Sequence, residues 1–179
     1  MPRYVAFLRS INVGGKHIVK MEQFRTLFSA LKFTNVETFI ASGNIIFETS
    51  READERLERK IEKHLESELG FEVGTFVRSI EEVRAISEHE AFSKDQLKLA
   101  FSVYVGVMRK ELTSSDLAQA ASFKTDLDDF HVHGRDLYWL SRVPTNESKF
   151  PKKFEKLVKS EITYRNINTM TRLAAKYSH

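Results

Sequence analysis

Cysteine is absent from all 179 residues, which excludes disulfides, zinc–thiolate centres and a thiol nucleophile and fits a reducing compartment. Proline is scarce at three residues and glycine numbers only seven, too few for a loop-rich or fibrous chain. No apolar run approaches the roughly 18–20 residues of a membrane span. The leading run Tyr4-Val5-Ala6-Phe7-Leu8 is cut by Arg9 before it reaches signal-peptide length. A cytoplasmic protein without a membrane partner is therefore expected. A large charge of one sign is also missing: 28 basic and 25 acidic residues leave +3, so the pI near 9.0 is a poor argument for nucleic acid by itself. The distribution says more. Residues 81–130 carry ten acidic and six basic side chains, and residues 152–179 carry seven basic and two acidic. A basic carboxyl-terminal end can face an anion, or simply be the solvated side of helices.

What is present is a globular complement of apolar residues, 41%, with fourteen Phe, enough for one domain or two small ones. Residues 3–9 place Tyr4, Ala6 and Leu8 on one face and Val5 and Phe7 on the other, the pattern of a central strand covered on both sides. Met21, Phe24, Leu27, Phe28 and Leu31 recur at helical spacing and predict a helix over 20–32. Two short strands, 36–40 and 44–48, flank a hairpin at Ala41-Ser42-Gly43. Thr49 and Glu52 have capping-box spacing ahead of a long helix lined by Leu57, Ile61, Leu65 and Leu69, with Gly70 to end it. A strand over 72–78 completes the order βαββαβ, the split βαβ unit of ferredoxin-like folds.

The second half nearly repeats that order. Ser79 and Glu82 cap a short helix to about residue 87, a polar connector covers 88–95, and a strand covers 98–107. A small helix over 113–123 follows, capped by Thr113 with Asp116 in its first turn. A hairpin of 128–133 and 137–141 turns at Gly134-Arg135, and a helix over 151–161, a short strand near 162–164 and a final helix over 166–177 complete the chain. The expected architecture is α+β: two ferredoxin-like halves packed together, 1–80 and 81–179, the second with an extra terminal helix. Strands apolar on both faces need cover, and two such halves can cover each other.

In a split βαβ unit the third strand runs antiparallel beside the first. The end of the first strand then adjoins the start of the third. Arg9, Asn12 and Lys16 are thereby expected near Ser42, Gly43 and Asn44. Backbone N–H groups of Gly14-Gly15 could form an anion-binding nest, and Arg9 could grip a carboxylate or phosphate with two nitrogens. The same residues also read as a turn needing positive φ, with Asn44 tying the hairpin. A second polar cluster is Arg165-Asn166-Ile167-Asn168-Thr169. Asn166 or Asn168 can cap the last helix, and Arg165 before its start could complete an anion site.

These segments together, Arg3 to Arg9, Ile11-Asn12-Val13-Gly14-Gly15-Lys16, Ala41-Ser42-Gly43-Asn44 with Ile45-Ile46-Phe47, and Arg165-Asn166-Ile167-Asn168-Thr169-Met170, resemble the signature of an uncharacterised, mainly bacterial family catalogued as domain of unknown function 1697. The resemblance implies a two-part α/β fold related to duplicated ferredoxin-like units, and no activity. Ile167 departs from it, since many relatives have Trp there.

Other patterns are incomplete. Gly15-Lys16-His17 lacks the earlier glycine and the following Ser/Thr of a P-loop. Val103-Tyr104-Val105-Gly106 has the first-strand half of an RNA-recognition motif, but Leu137-Tyr138-Trp139-Leu140 lacks the third-strand half. His131 and His133 share one strand face, a spacing that metals use, with only Asp129 or Asp136 as a third ligand. No metal and no cofactor is expected. Asp126, Asp128 and Asp129 read as a solvated turn, and no Gly-x-Ser-x-Gly elbow or His-Glu-x-x-His helix occurs. Three functions stay open: binding of an anionic small molecule or nucleic acid, metal-independent catalysis at the same polar cluster, or a structural role in which that cluster locks the halves.

Overall fold

The structure, a computed structural model, describes residues 1–40 and 43–179. Ala41 and Ser42 of the expected hairpin turn lie outside them. By internal contacts the chain divides into a first unit, Met1–Arg84 with Leu173–His179, and a second unit, Ala85–Arg172. The expected partition at 80/81 left the whole last helix with the second half. Its final residues belong instead to the first unit, because Tyr177 bonds there: its hydroxyl donates to Glu37 and its carbonyl accepts from Arg3.

In the first unit β1 (Arg3–Leu8), α1 (Met21–Ala30), β2 (Thr34–Thr38), β3 (Asn44–Glu48), α2 (Asp54–Leu69) and β4 (Thr75–Ser79) follow the expected βαββαβ order. The sheet order is β2-β3-β1-β4, wholly antiparallel. Phe24, Phe28, Leu57, Ile61 and Leu65 of the helices pack on Tyr4, Ala6, Leu8, Ile45 and Phe47. Val5, Phe7, Ile46 and Phe76 on the opposite face are buried too, so β1 is covered on both sides as its sequence requires.

After α3 (Ile80–Glu88) and the short α4 (Lys94–Lys98), the second unit repeats the plan with β5 (Ser102–Val107), α5 (Ser114–Ala120), β6 (Asp128–His133), β7 (Asp136–Ser141), α6 (Phe150–Val158) and β8 (Thr163–Asn166). Its sheet order is β6-β7-β5-β8, so β1 and β5 are both interior strands. The helix α7 (Ile167–Tyr177) ends the chain.

Local chemistry accounts for where elements begin and end. Thr113 and Asp116 form a reciprocal capping box at α5, and Ser79 and Glu82 exchange bonds at the start of α3. Gly70 closes α2 at φ 82°. The box expected at Thr49/Glu52 does not form. The Glu52 N–H meets the Tyr4 hydroxyl at 3.4 Å, its carboxylate bonds Lys60, and the helix opens later, after Ala53, with no side-chain cap. The strand expected from residue 98 starts at Ser102, because Ser93 and Gln96 form a capping box that makes 94–98 helical. The strand expected over 36–40 ends at Thr38, two residues before Ile40 takes φ 60°. On the edge strand β4, N–H groups of Thr75 and Val77 donate to Glu62 and Glu58 of α2. Glu155 of α6 accepts from Ile162 beside edge strand β8 in the same way. Satisfying edge donors from a helix blunts strand addition.

Candidate functional site

The end of β1 lies beside the start of β3, as the topology demands. Phe7 pairs with Asn44, the Leu8 N–H donates to the Gly43 carbonyl at 2.8 Å, and the Arg9 N–H donates to Gly74 at 2.8 Å. Gly43 has φ 76°, and a Cβ there would also crowd Leu8 Cβ at 3.2 Å, so glycine suits the close meeting of the two segments. From this junction residues 10–20 project as a small hairpin. Val13 and Lys16 form an antiparallel bridge around Gly14-Gly15, whose φ values of 60° and 71° suit the type I′ turn of a two-residue hairpin. Asn12, at φ 54°, clamps the base: its amide donates to the Val19 carbonyl at 3.1 Å and accepts from the Val19 N–H at 2.7 Å.

These contacts sort the expected cluster. Asn12, Gly14 and Gly15 shape the hairpin. Asn44 is fully buried, and its amide donates to the Phe39 carbonyl, which ties β2 to β3. Arg9 is half-buried, while Lys16, His17 and Lys20 are exposed. Ser42 lies outside the described residues.

Arg165 does stand just ahead of the last helix, two residues before α7 begins. It lies within β8 and is buried, and one of its nitrogens donates to the Thr163 hydroxyl and the Tyr164 carbonyl, both at 2.9 Å. Burial pushes its pKa down to about 10, still far above neutrality, so it stays charged. Asn166 accepts from the Asn168 N–H and caps α7. Asn168 is exposed and Thr169 half-buried on that helix.

Sequence reading missed the counterpart of Arg165 in the first unit. Arg78 is buried on β4, donates to the carbonyl of its preceding residue, Val77, and pairs with Val5 of β1. Arg165 pairs likewise with Val105 of β5. Both arginines are followed by a capping residue and isoleucine, Arg78-Ser79-Ile80 and Arg165-Asn166-Ile167, a short repeat that could have flagged them.

His89, just past α3, was also missed. It stacks on His131 and His133 at ring separations of 5.2 and 4.3 Å, and one ligand atom from each of the three lies within 4.8 Å of the others. The ligands considered from sequence are placed otherwise. Asp129 accepts from Gln96 and from the Phe130 N–H, and Asp136 lies opposite His133 on β7. Tyr104 and Trp139, the aromatics of the incomplete RNA-recognition pattern, stack on each other within the helix-covered core, and Trp139 is buried against Phe150. A cavity of about 480 Å³ is lined by Arg109, Lys110 and Lys159 against Glu111, Asp116 and Glu161, a balanced set that gives an anion no preference. Among the described residues no helix is long and apolar enough to cross a membrane.

Set beside known proteins, the chain resembles a solved structure over its whole length. A conserved bacterial protein of Streptococcus pneumoniae, SP0830, superposes with a TM-score of 0.73 at 24% identity, covering 100% of this chain and 99% of that one. That likeness speaks for the fold alone. No curated protein matches the sequence. Residues 1–138 match the model of the family described as "Protein of unknown function (DUF1697)", and with most of its length so matched the chain belongs to that family.

Proposed function

We propose that this protein is a cytoplasmic binding module for a phosphate-bearing ligand, and that the hairpin of residues 10–20 is its recognition element. The supporting observation is the concentration of positive charge on a shaped, exposed projection. No acidic residue precedes Glu22, whereas Arg9, Lys16 and Lys20 fall on or beside the hairpin. The Asn12 clamp and the glycine turn fix the backbone before a ligand arrives, which lowers the ordering cost of binding. Val13 and Ile18 are 66% and 72% exposed on the same projection. Apolar side chains beside cations suit a nucleic acid, which offers base and sugar surface next to its phosphates, better than an inorganic anion.

The test is fluorescence anisotropy with a short labelled single-stranded RNA, with pyrophosphate as competitor. Lys16→Ala should weaken RNA binding by about 1.5–3 kcal/mol, the range for a hydrogen bond to a charged group, and Arg9→Ala should do likewise. Affinity should fall steeply with salt as counterions are released. A large loss of melting stability in Arg9→Ala with no change in affinity would make Arg9 a structural tie. Binding that ignores both substitutions would remove the hairpin from the site.

A further inference from the structure

We infer that His89, His131 and His133 form a binding site for a first-row divalent transition ion such as Zn²⁺, independent of the anion-binding hairpin. The expectation of no metal rested on the absence of cysteine and on the want of a third ligand beside His131 and His133. The fold supplies one from a distant part of the sequence. His131 and His133 project from the same face of edge strand β6, opposite to Phe130 and Val132, which join the core beneath α5 and α6. The Tyr138 hydroxyl on that face donates to the Ile86 carbonyl at the end of α3. Three residues later the chain places His89 against both imidazoles.

Three observations carry the assignment. The ligand atoms already lie within 4.8 Å of one another, and nitrogens around a tetrahedral zinc stand roughly 3.3 Å apart at the usual bond length. His131 and His133 are exposed, so their rings can turn from the stacked arrangement to converge on an ion. Secondly, Nε2 of His89 is buried without a hydrogen-bond partner, and a buried polar atom left unpaired is costly.

The third observation comes from the other unit. Lys176 lies eleven residues after Arg165, as His89 lies eleven after Arg78. There Lys176 pairs with Glu37, which sits opposite Ile46 on β2 as His131 sits opposite Tyr138 on β6. The fold therefore fills this corner with an ordinary ion pair in one unit, and three histidines are not a requirement of its packing. An all-imidazole set, with the Asp136 carboxylate close enough to act on His89, suits Zn²⁺, Co²⁺, Ni²⁺ or Cu²⁺ rather than Mg²⁺ or Ca²⁺. Three protein ligands leave a position for water.

Untagged, metal-stripped protein titrated with Co²⁺ tests the site through the visible d–d absorption of the bound ion. The spectrum should saturate at one equivalent and vanish when Zn²⁺ is added. His89→Gln, His131→Gln and His133→Gln should each weaken Co²⁺ by at least roughly tenfold, the lower bound seen even for residues that only support metal ligands. His17→Gln and His64→Gln should bind as wild type. Zn²⁺ should raise the melting temperature of wild type and not of the three site variants, whose metal-free melting temperatures show that they are folded. No cobalt spectrum, saturation at no fixed stoichiometry, or equal affinity in folded site variants would overturn the assignment.

Discussion

The two units are built on one frame and finished differently. Val5 of the first lies between Ile46 and Arg78, and Val105 of the second lies between Tyr138 and Arg165. One residue earlier, Tyr4 stacks on Phe47 at 5.7 Å and Tyr104 on Trp139 at 5.1 Å. The buried arginines make the same bond to the preceding carbonyl, and helix glutamates accept N–H groups on edge strand β4 and just before edge strand β8. What repeats is therefore satisfied inside the fold. What does not repeat is exposed: the cationic hairpin after β1 and the imidazoles on β6. The repeated features serve stability, and the unrepeated ones are where ligands are to be sought.

This division can be broken by substituting matched positions. The largest effect is expected in the aromatic pair. Phe47→Ala and Trp139→Ala should each cost about 3–5 kcal/mol in urea unfolding, with Trp139 toward the upper end because its indole also donates to Asp128 at 2.8 Å. A loss under half of that in one unit would show that the two stacks are not equivalent. Next come the arginines. Arg78→Met and Arg165→Met each strand buried acceptors and should cost about 1–3 kcal/mol apiece. Removing the hairpin clamp by Asn12→Ala should cost less overall, about 1 kcal/mol for paired neutral hydrogen bonds, and should speed amide exchange within residues 10–20 alone. Exchange spreading into β1 would show that the hairpin is part of the frame.

The smallest effect sharpens a difference in charge. Arg3 pairs with Glu48 in the first unit where Val103 faces Leu140 in the second. Hydrogen bonds from Asn35 and Arg3 hold the Glu48 pKa below 4.5. The unfolded chain then takes up a proton before the folded one as pH falls. This contribution is present above pH 4.5 and is lost as pH drops through the folded value. For a partly exposed pair it is under about 1 kcal/mol. Arg3→Val with Glu48→Leu should flatten the acid limb of the stability curve, and an unchanged limb would assign acid sensitivity elsewhere.

The frame was legible because its signals are local. Two-faced apolar runs marked β1 and β5, Thr113 with Asp116 marked α5, and Gly134 marked the β6–β7 turn, where it takes φ 59°. The topology then put Asn44 beside the end of the first strand, where it pairs with Phe7. Reading failed where a distant partner decides. Glu52 could not be known to answer to Tyr4, 48 residues away. The burial of Arg165 was not legible, because β8 is only four residues long and its neighbour Asn166 is a good cap. His89 sat in what read as a polar connector, since nothing near it in sequence shows that α3 delivers it to β6.

If repeated residues are frame and unrepeated ones are site, RNA affinity measured for Arg165→Met beside Lys16→Ala, below the melting temperature of both, should separate the two. Arg165→Met should keep wild-type affinity despite its lower unfolding free energy, and the fully stable Lys16→Ala should bind more weakly. Lost affinity in an Arg165→Met protein of undiminished stability, with Lys16→Ala binding as wild type, would contradict that division.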